Sequence, residues 1–390
     1  MHQGILWDTG ITPMKILQLF SDWKWTGPAE PVVSLCEALS KEGVDITIAY
    51  RKTPIDFPER TVEKEVRSRG IKNYEGFRLN RYFSLKDWLF DQGAIRSYCM
   101  KNKVDIVHTN LSHDHFTALF SLGYGKKRPI IVRTDHKRDG MPPNMFMRWA
   151  MAKTDGLVTY SKRIMDRDMG SFHIPGERTC IIPPGIKLYN GPLRDIKGRF
   201  GIRPEEKVIG VIGRLKPDRG YDLILKAFKI VRSGMDNVKL LIMGRSSQIE
   251  KSIKQPLAQL GIERDVILAG YIIDDYFSVI SSFDVFVMMR AGSDGTARAL
   301  REVMSMGVPP VVSDSGMLPE LVNDGIDGFV VQPHEDLLAE RLRQILTDDI
   351  LRASLGVRAR EKAIKQWDYS IQAKKILGFY ERLLVNRERH

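Results

Sequence analysis

Short apolar, β-rich runs alternate with helical segments through almost the whole chain, and they form two successive series. The first series begins at Met14 and contains "MKILQLF", "DITIAY", "VDIVHTN", "PIIVRTDH", "DGLVTYS" and "TCIIPPG". The second contains "KVIGVIGR", "VKLLIMG", "DVILAGY", "DVFVMM", "PPVVSD" and "GFVV". Apolar runs of this length separated by helices are typical of parallel strands buried on both faces. The sequence therefore predicts an α/β fold of two doubly wound, Rossmann-like domains facing across a cleft.

A stretch rich in glycine, proline and charge, "YNGPLRDIKGRFGIRPEE", separates the two series and suits a linker. The chain has 390 residues, which exceeds the size at which a single hydrophobic core usually divides. We therefore predict an N-terminal domain at residues 14–190 and a C-terminal domain at residues 191–366. Ligands of such folds bind at the carboxyl ends of the strands, so the cleft is the expected site.

The chain is basic, with a formal net charge of +12, of which +8 falls within residues 1–190. This excess indicates an anionic partner, such as a membrane surface, nucleic acid or a charged substrate, or else plain solubility. We find no nucleic-acid-binding module and expect no such partner. Three scattered cysteines without a CxxC pair indicate reduced thiols in a cytoplasmic protein. No apolar run reaches the ~20 residues that span a bilayer.

Two carboxylates flank the start of a predicted helix in "MMRAGSDGTARALREVMSMGVPPVVSDSG", residues 288–316. Asp294 precedes this helix and Glu302 lies about one and a half turns inside it, roughly 10 Å away. The backbone amides of Gly295, Thr296 and Ala297 lie at the helix start, where unpaired N–H groups favour phosphate. A diphosphate held there would place a sugar near Asp294 and a ribose near Glu302. Taken singly, Asp294 is equally consistent with a simple N-cap and Glu302 with an exposed helical glutamate.

Two further stretches follow strands. "GRLKPDRG", residues 213–220, comes directly after "VIGVI" and supplies Gly213, Arg214 and Arg219, which are suited to phosphate oxygens. The alternative is a solvated basic turn. "DWKWTGPAE" follows the first strand, and its Gly27 is either a close approach to a ligand or an ordinary turn.

Three histidines lie at or just past predicted strand ends: His108, His113 and His136. A histidine can hydrogen-bond a substrate hydroxyl near neutral pH because its ordinary pKa is ~6.5. We favour such a role for His136 and leave His113 open between function and structure. His113-Asp114-His115 could suggest metal ligation, but we expect no metal.

Together these motifs resemble the retaining glycosyltransferases of family 4, which have the GT-B fold. The likeness runs from Met14 onward and is strongest from Lys207 to Pro333. Members transfer a sugar from a nucleotide-sugar, bound by the C-terminal domain, to an acceptor bound mainly by the N-terminal one. Asp294 and Glu302 match the family's E-x7-E motif, with aspartate replacing the first glutamate. The resemblance implies that the first acid contacts the donor sugar and the second the ribose.

The resemblance also assigns roles to the other motifs. Arg214 and Arg219 match the arginine and lysine of G-R-L-x-x-x-K-G, which neutralise donor phosphates, and here arginine replaces the lysine. His136 matches a histidine near the donor sugar. Gly27 lies where members often have Gly-Gly before the helix, which suits close approach to the donor phosphate or acceptor. A helix at residues 367–390 is expected to pack back on the N-terminal domain.

These observations predict a metal-independent, retaining glycosyltransferase of lipopolysaccharide or surface polysaccharide synthesis, with a saccharide or lipid-linked acceptor and no cofactor. The Asp-x-Asp that holds a metal–diphosphate in the other major glycosyltransferase fold is missing from any expected position. "GYGKKRPI", "DHKRDGMPPNMFMRWAMAK" and residues 60–103 mix cations with apolar side chains, which suits peripheral attachment to an anionic membrane or simply solvated helix faces. A sugar-nucleotide epimerase or hydrolase and a non-catalytic sugar-nucleotide-binding protein are the alternatives.

Overall fold

The computed structural model describes residues 14–54, 60–123, 127–245, 248–292, 295 and 297–389. Within these ranges the strands form two parallel sheets of six strands each, with the orders β2-β1-β3-β4-β5-β6 and β12-β11-β10-β7-β8-β9. Each apolar run named above contains one of these strands. The prediction of an α/β fold with two doubly wound domains is confirmed.

The first domain is built from the following elements. Its strands are β1 Lys15–Phe20, β2 Asp45–Tyr50, β3 Ile106–Thr109, β4 Ile130–Thr134, β5 Gly156–Thr159 and β6 Thr179–Ile181. Its helices are α1 Ala29–Lys41, α2 Val62–Ser68, α3 Leu85–Asn102, α4 Ser112–Leu122, α5 Met145–Ala152 and α6 Lys162–Phe172.

The second domain repeats the plan. Its strands are β7 Lys207–Ile212, β8 Val238–Met243, β9 Val266–Gly270, β10 Val285–Met288, β11 Pro310–Ser313 and β12 Phe329–Val331. Its helices are α7 Tyr221–Arg232, α8 Gln255–Leu260, α9 Tyr276–Ser281, α10 Arg298–Ser305, α11 Leu318–Leu321, α12 Glu335–Thr347 and α13 Asp349–Trp367. The last helix of the chain is α14, Tyr369–Arg389.

Alternate residues of the first sheet pack against opposite helix layers, as the period of two in a strand requires. In β1, Ile16 and Phe20 share a buried cluster with α1 and α14, whereas Leu17 and Leu19 pack with α3 and α4. The strands are thus apolar on both faces, which is why they read as continuous hydrophobic runs.

The C-terminal helix α14 packs on the first domain although it follows the second. Its residues Ile376, Phe379 and Tyr380 lie in the buried cluster of α1 and the first sheet. The Tyr380 hydroxyl lies 2.5 Å from Nδ1 of His108, a buried histidine on β3. The chain therefore crosses back over the cleft at its end and couples the two domains.

The order of strands reverses between β1 and β3 in the first sheet and between β7 and β10 in the second. At such points the loops from neighbouring strands diverge and leave a crevice at the carboxyl edge of the sheet. The loops that follow β1, β7 and β10 carry Gly27, Arg214 and the residues before α10. The topology therefore brings the motifs of both halves to one cleft.

Candidate active site

A cavity of about 540 Å³ lies between the two sheets and takes residues from both domains. The first domain contributes Gly27 and Glu30 to its wall, and the second contributes Gly213, Arg214 and Glu302, among others. A neighbouring cavity of about 360 Å³ shares Gly27, Gly213 and Arg214 and adds Arg219. Side chains and loops from opposite domains thus face the same cleft.

The structure brings most of the predicted donor-binding residues to these two cavities. Gly295 lines the larger one, immediately before α10. Asp294 and Thr296 lie outside the described residues, so their predicted roles remain predictions. Ala297 is fully buried at the N-cap of α10 and is absent from both cavity walls.

The two arginines that follow β7 are held differently. Arg214 is exposed at the cavity mouth, whereas the Arg219 side chain is only 17% exposed, and its Nη1 has no hydrogen-bond partner among the described residues. Burial lowers the pKa of Arg219, and the nearby guanidinium groups of Arg138 and Arg214 lower it further. The nearest carboxylate oxygen, on Asp218, is 3.7 Å from its Nε. An anion bound here would relieve a concentration of positive charge that the protein only partly neutralises.

Two glycines let segments that border the cleft approach each other closely. A Cβ on Gly244, after β8, would lie 1.8 Å from the carbonyl oxygen of Gly213. A Cβ on Gly295 would lie 3.0 Å from the ring of Tyr160, which belongs to the other domain. Any larger residue at Gly244 would separate the loops after β7 and β8 and so widen the cavity.

Glu302 is buried, with 3% of its surface exposed, and faces the larger cavity rather than an open helix surface. Tyr276 donates its hydroxyl to Oε2 at 2.8 Å, and Arg298 donates Nε to Oε1 at 2.6 Å. Burial, followed by the Glu302 carboxylate, raises the pKa of Tyr276 well above 10, so the phenol stays a donor. The carboxylate is therefore fixed in orientation and keeps further acceptor capacity for a ligand hydroxyl.

Arg298 also joins the two domains, a contact that the sequence analysis did not anticipate. Its Nη1 lies 2.8 Å from Oε1 of Glu30, in the first turn of α1. Glu30 is held in turn by Arg69 at 3.2 Å and by the Ser34 hydroxyl at 2.9 Å. Arg298 precedes Glu302 by four residues, so the helical spacing could have indicated their pairing. No local pattern could have indicated Glu30.

Arg301 is a second arginine of α10 that the sequence analysis missed. It is fully buried, lines the larger cavity and has no hydrogen-bond partner for Nε or Nη1 among the described residues. Its Nη2 points toward the Gly295 carbonyl at 3.5 Å. The pKa of Arg301 is lowered to about 10, mainly by burial; the Glu302 carboxylate raises the pKa and the Arg298 cation lowers it. A buried guanidinium with free donors beside the helix start adds to the anion-binding character of the site.

His136 lies behind the cavity rather than on its wall. It is 9% exposed; its Nε2 lies 3.0 Å from Asn110 Oδ1, and its Nδ1 lies 3.1 Å from the Tyr160 hydroxyl. Asn110 donates its amide to the Leu19 carbonyl, which fixes its oxygen toward the histidine and assigns the proton to Nε2. Burial, and then the Arg133 cation, lower the pKa of His136 well below 6.5, so the ring is neutral. It supports Tyr160, whose ring packs against Gly295; a direct sugar contact remains a prediction.

The side chains of the motif His113-Asp114-His115 do not meet at a common site. Asp114 accepts hydrogen bonds from the backbone of Ser21, Asn110 and Leu111, and His115 bonds Thr154 at 2.7 Å. His113 has a buried Nε2 without a hydrogen-bond partner in the described part of the chain. Among the described residues, no group of three or more His, Cys, Asp and Glu side chains is placed to hold a metal ion.

An aromatic end completes the larger cavity at the carboxyl ends of β8 and β9. Tyr271, Tyr276 and Phe277 line it, and the Arg245 guanidinium lies 5.0 Å from the centre of the Tyr271 ring. A planar heterocycle fits between such groups, because rings and guanidinium planes stack on one another. The site thus combines arginines, a buried carboxylate and aromatic rings.

Comparisons with known proteins agree with this arrangement. The family described as Glycosyltransferase Family 4 matches residues 26–189, and that described as Glycosyl transferases group 1 matches residues 194–362. An uncharacterized glycosyltransferase of Methanocaldococcus jannaschii is 25% identical over 235 residues, covering 58% of this chain and 59% of that protein. A GDP-mannose-dependent alpha-(1-6)-phosphatidylinositol monomannoside mannosyltransferase of Mycolicibacterium smegmatis is 27% identical over 225 residues, covering 55% and 59%. The matched part thus spans a little over half the length of these curated relatives.

Solved structures extend the likeness to the whole fold. A glycosyltransferase from Rickettsia africae has a TM-score of 0.82 at 18% identity, covering 96% of this chain and 100% of that one. Anabaena HepE in complex with UDP has a TM-score of 0.76 at 18% identity, covering 94% and 100%. The two family matches together span most of the chain, and the predicted resemblance is confirmed. The chain belongs to glycosyltransferase family 4 and has the GT-B fold.

Proposed function

We propose that this protein is a retaining, metal-independent glycosyltransferase of the hexosyltransferase type. It moves a sugar from a nucleotide-sugar to a saccharide or lipid-linked acceptor in lipopolysaccharide or surface polysaccharide synthesis. The observation that carries the proposal is the cavity between the sheets, where Arg214, Gly295 and Glu302 of one domain face Gly27 of the other. A donor held by the second domain would there present its sugar to an acceptor on the first.

The proposed donor pose follows the chemistry of the cavity walls. The diphosphate would lie between Arg214, Arg219 and the start of α10, where cations and helix amides favour negative charge. The ribose would hydrogen-bond Glu302, and the base would occupy the aromatic end near Tyr271. The cavity walls thus offer one kind of group for each part of a nucleoside diphosphate: cations for the phosphates, a carboxylate for the ribose and aromatic rings for the base.

The proposed reaction needs no cofactor. The bond between the anomeric carbon and the leaving phosphate oxygen breaks, and Arg214 and Arg219 stabilise the charge that accumulates on the diphosphate. Asp294 and His136 would hold the sugar hydroxyls. The acceptor oxygen attacks the face that the leaving group vacates and passes its proton to the leaving phosphate. Closure of the cleft would exclude water and limit hydrolysis.

The acceptor class is supported by the relatives. The mycolicibacterial protein is described as acting on a phosphatidylinositol monomannoside, and another relative, from Staphylococcus aureus, as a capsular polysaccharide biosynthesis glycosyltransferase. Both descriptions concern cell-surface saccharides, and one of the acceptors is a lipid. We therefore place this chain in the cytoplasm, peripheral at the inner face of the membrane. None of its described helices is both long and apolar enough to cross a bilayer.

The test is release of nucleoside diphosphate from UDP-, GDP- and ADP-sugars, measured with and without a mixture of saccharide and lipid-linked acceptors. Acceptor-dependent release with a glycosylated product supports transfer. Acceptor-independent release of free sugar would favour a hydrolase, and a changed donor sugar in the NMR spectrum would favour an epimerase. Tight binding of a nucleotide-sugar without any turnover would favour a binding protein.

A further inference from the structure

The strongest feature outside the cleft is an exposed apolar surface on the first domain. Five of the six exposed aromatic residues in the described part of the chain lie between residues 82 and 146. The surface consists of side chains that are between 57% and 76% exposed: Tyr82, Phe83, Leu85, Leu89, Met145 and Phe146. We name it the α3–α5 face, since these residues come from α3, α5 and the loop before α3. A soluble protein does not usually leave so many large apolar side chains together in water.

Aromatic contacts show that the α3–α5 face is continuous across three helices. The ring of Phe83 lies 6.2 Å from that of Trp88 on α3, and Trp88 lies 5.1 Å from Phe120 on α4. Phe120 stacks at 5.1 Å on Trp149, which is one turn along α5 from Phe146. The exposed side chains therefore cap a connected row of half-buried rings and do not project singly from separate places.

The charges around the face are positive. Lys86 and Arg148 are exposed within the same helical turns as the apolar residues, and neither has an ion-pair partner among the described residues. The two acids of α3 are occupied elsewhere: Asp87 pairs with Arg78 at 2.6 Å, and buried Asp91 accepts from the backbone of residues 78 and 79. Apolar and aromatic tips flanked by two exposed cations are complementary to an anionic lipid surface.

One edge of the face is tied to a loop that leads to the cleft. Arg81, directly before Tyr82, lies 2.6 Å from Asp22, which follows β1. The same loop after β1 continues to Gly27 in the cavity wall. The α3–α5 face is therefore joined to the cavity wall through one short loop.

We propose that the α3–α5 face docks the protein on an anionic phospholipid bilayer, with the cleft opening beside the membrane. The inference rests on the proposed function only for its purpose, which is to let a lipid-linked acceptor reach the cleft. The interaction itself follows from the exposed apolar side chains and their cations.

The test uses the full chain and sedimentation with vesicles of phosphatidylcholine, either alone or with 30 mol% phosphatidylglycerol. The wild-type protein is expected to bind the anionic vesicles and to be largely released by high salt. Phe83→Ser with Phe146→Ser should lower the partition coefficient at least tenfold, since each removes a large apolar contact. Lys86→Gln with Arg148→Gln should lower the partition coefficient for anionic vesicles about fivefold per charge removed. The same variant should leave the partition coefficient for neutral vesicles unchanged.

The matched control is Ile350→Ser with Val357→Ser, two exposed apolar residues of α13 in the other domain. This pair should bind vesicles like the wild type. An equal loss of vesicle binding in the Phe83/Phe146 variant and the Ile350/Val357 control would overturn the proposal. So would a wild-type protein that does not bind anionic vesicles. A dimer that Phe83→Ser with Phe146→Ser dissociates, without vesicle binding, would assign the face to a second copy of the chain and would also overturn it.

The proposal and the proposed function fail separately. A protein that binds vesicles through this face but releases no nucleoside diphosphate keeps the docking surface and loses the transferase reaction. A protein that transfers sugar to a soluble acceptor but never binds vesicles keeps the reaction and loses the docking surface. The Phe83/Phe146 variant should retain the wild-type thermal shift with nucleoside diphosphates, because neither residue lies in the cavities.

Discussion

Glu302→Gln tests the middle of the proposed donor site. The carboxylate is 3% exposed and is fixed by Tyr276 and Arg298, so a ligand hydroxyl meets it in one orientation. Glutamine keeps the size but removes the charge, and the loss of a charged hydrogen bond costs about 1.5–3 kcal/mol. The dissociation constant for the cognate nucleoside diphosphate should therefore rise roughly 10- to 150-fold. Isothermal titration calorimetry measures this directly, with circular dichroism as the check on folding.

The same variant should bind pyrophosphate at least as well as the wild type. Pyrophosphate has no ribose, and Glu302→Gln removes a negative charge near the anion site. Glu30→Gln is the matched control, because Glu30 also pairs with Arg298 but lies on the opposite domain. It should change nucleotide affinity less than threefold. Equal losses for Glu302→Gln and Glu30→Gln, or a parallel loss of pyrophosphate binding, would show that the effect comes from the arginine and not from the ribose.

Four further outcomes follow from the site and its surroundings. Arg219→Ala should lower kcat/KM by about 100-fold or more and reduce kcat itself, as for loss of a preorganised donor to a developing charge. Arg219→Lys should recover much of this activity, and Arg214→Lys should recover less. Folded alanine variants with wild-type kinetics would mean that the turn is only a solvated basic loop. Asp294→Asn should reduce turnover far more than affinity for free nucleoside diphosphate in titrations, and an affinity loss equal to that of Glu302→Gln would mean that the two acids are wrongly divided. Transfer should survive excess EDTA, and loss of activity that manganese or magnesium restores would contradict the metal-independent assignment. Asp168 is buried on α6 and accepts a hydrogen bond from the Met141 backbone at 3.2 Å. Burial, and then the Asp135 carboxylate, raise its pKa from 3.8 to about 7, so the stability that the protonated form supplies below pH 4 is lost as the pH rises through 7. Asp168→Asn should flatten the fall in the free energy of unfolding between pH 4 and 7 in urea titrations, and an unchanged slope would assign that fall to other groups.

The sequence predicted the strands well because a parallel strand buried on both faces is apolar along its whole length. Each run that it marked contains a strand. The sequence pattern of residues 53–103 is less clear. In α3 the apolar side chains are divided between the core, as with Ile95, and the exposed α3–α5 face, so no clear helical periodicity remains.

The candidate site was predictable where a motif is local. Glu302, Arg214 and Gly213 were found because their strand–loop–helix context marks them. Contacts with distant segments could not be predicted from a local motif. Glu30, which pairs with the Arg298 that holds Glu302, is separated from Arg298 by most of the chain and meets it only when the domains face each other. Arg301 was missed because a helical arginine is ordinarily exposed, and its full burial depends on the packing of α10 beneath the cleft.

The central claim is that the cavity between the two sheets binds a nucleotide-sugar through its diphosphate. The most direct test measures the thermal unfolding of the wild type and of Arg219→Ala in the presence of UDP-, GDP- and ADP-sugars. A ligand at 100 times its dissociation constant stabilises the folded state by about 2.7 kcal/mol, which corresponds to roughly 5–10 °C for a domain of this size. We predict a shift of this order for the donors of one base, and a much smaller shift for Arg219→Ala at the same concentrations. Millimolar nucleotide-sugars that leave the unfolding temperature of the wild type unchanged, or that shift both proteins equally, would contradict the account.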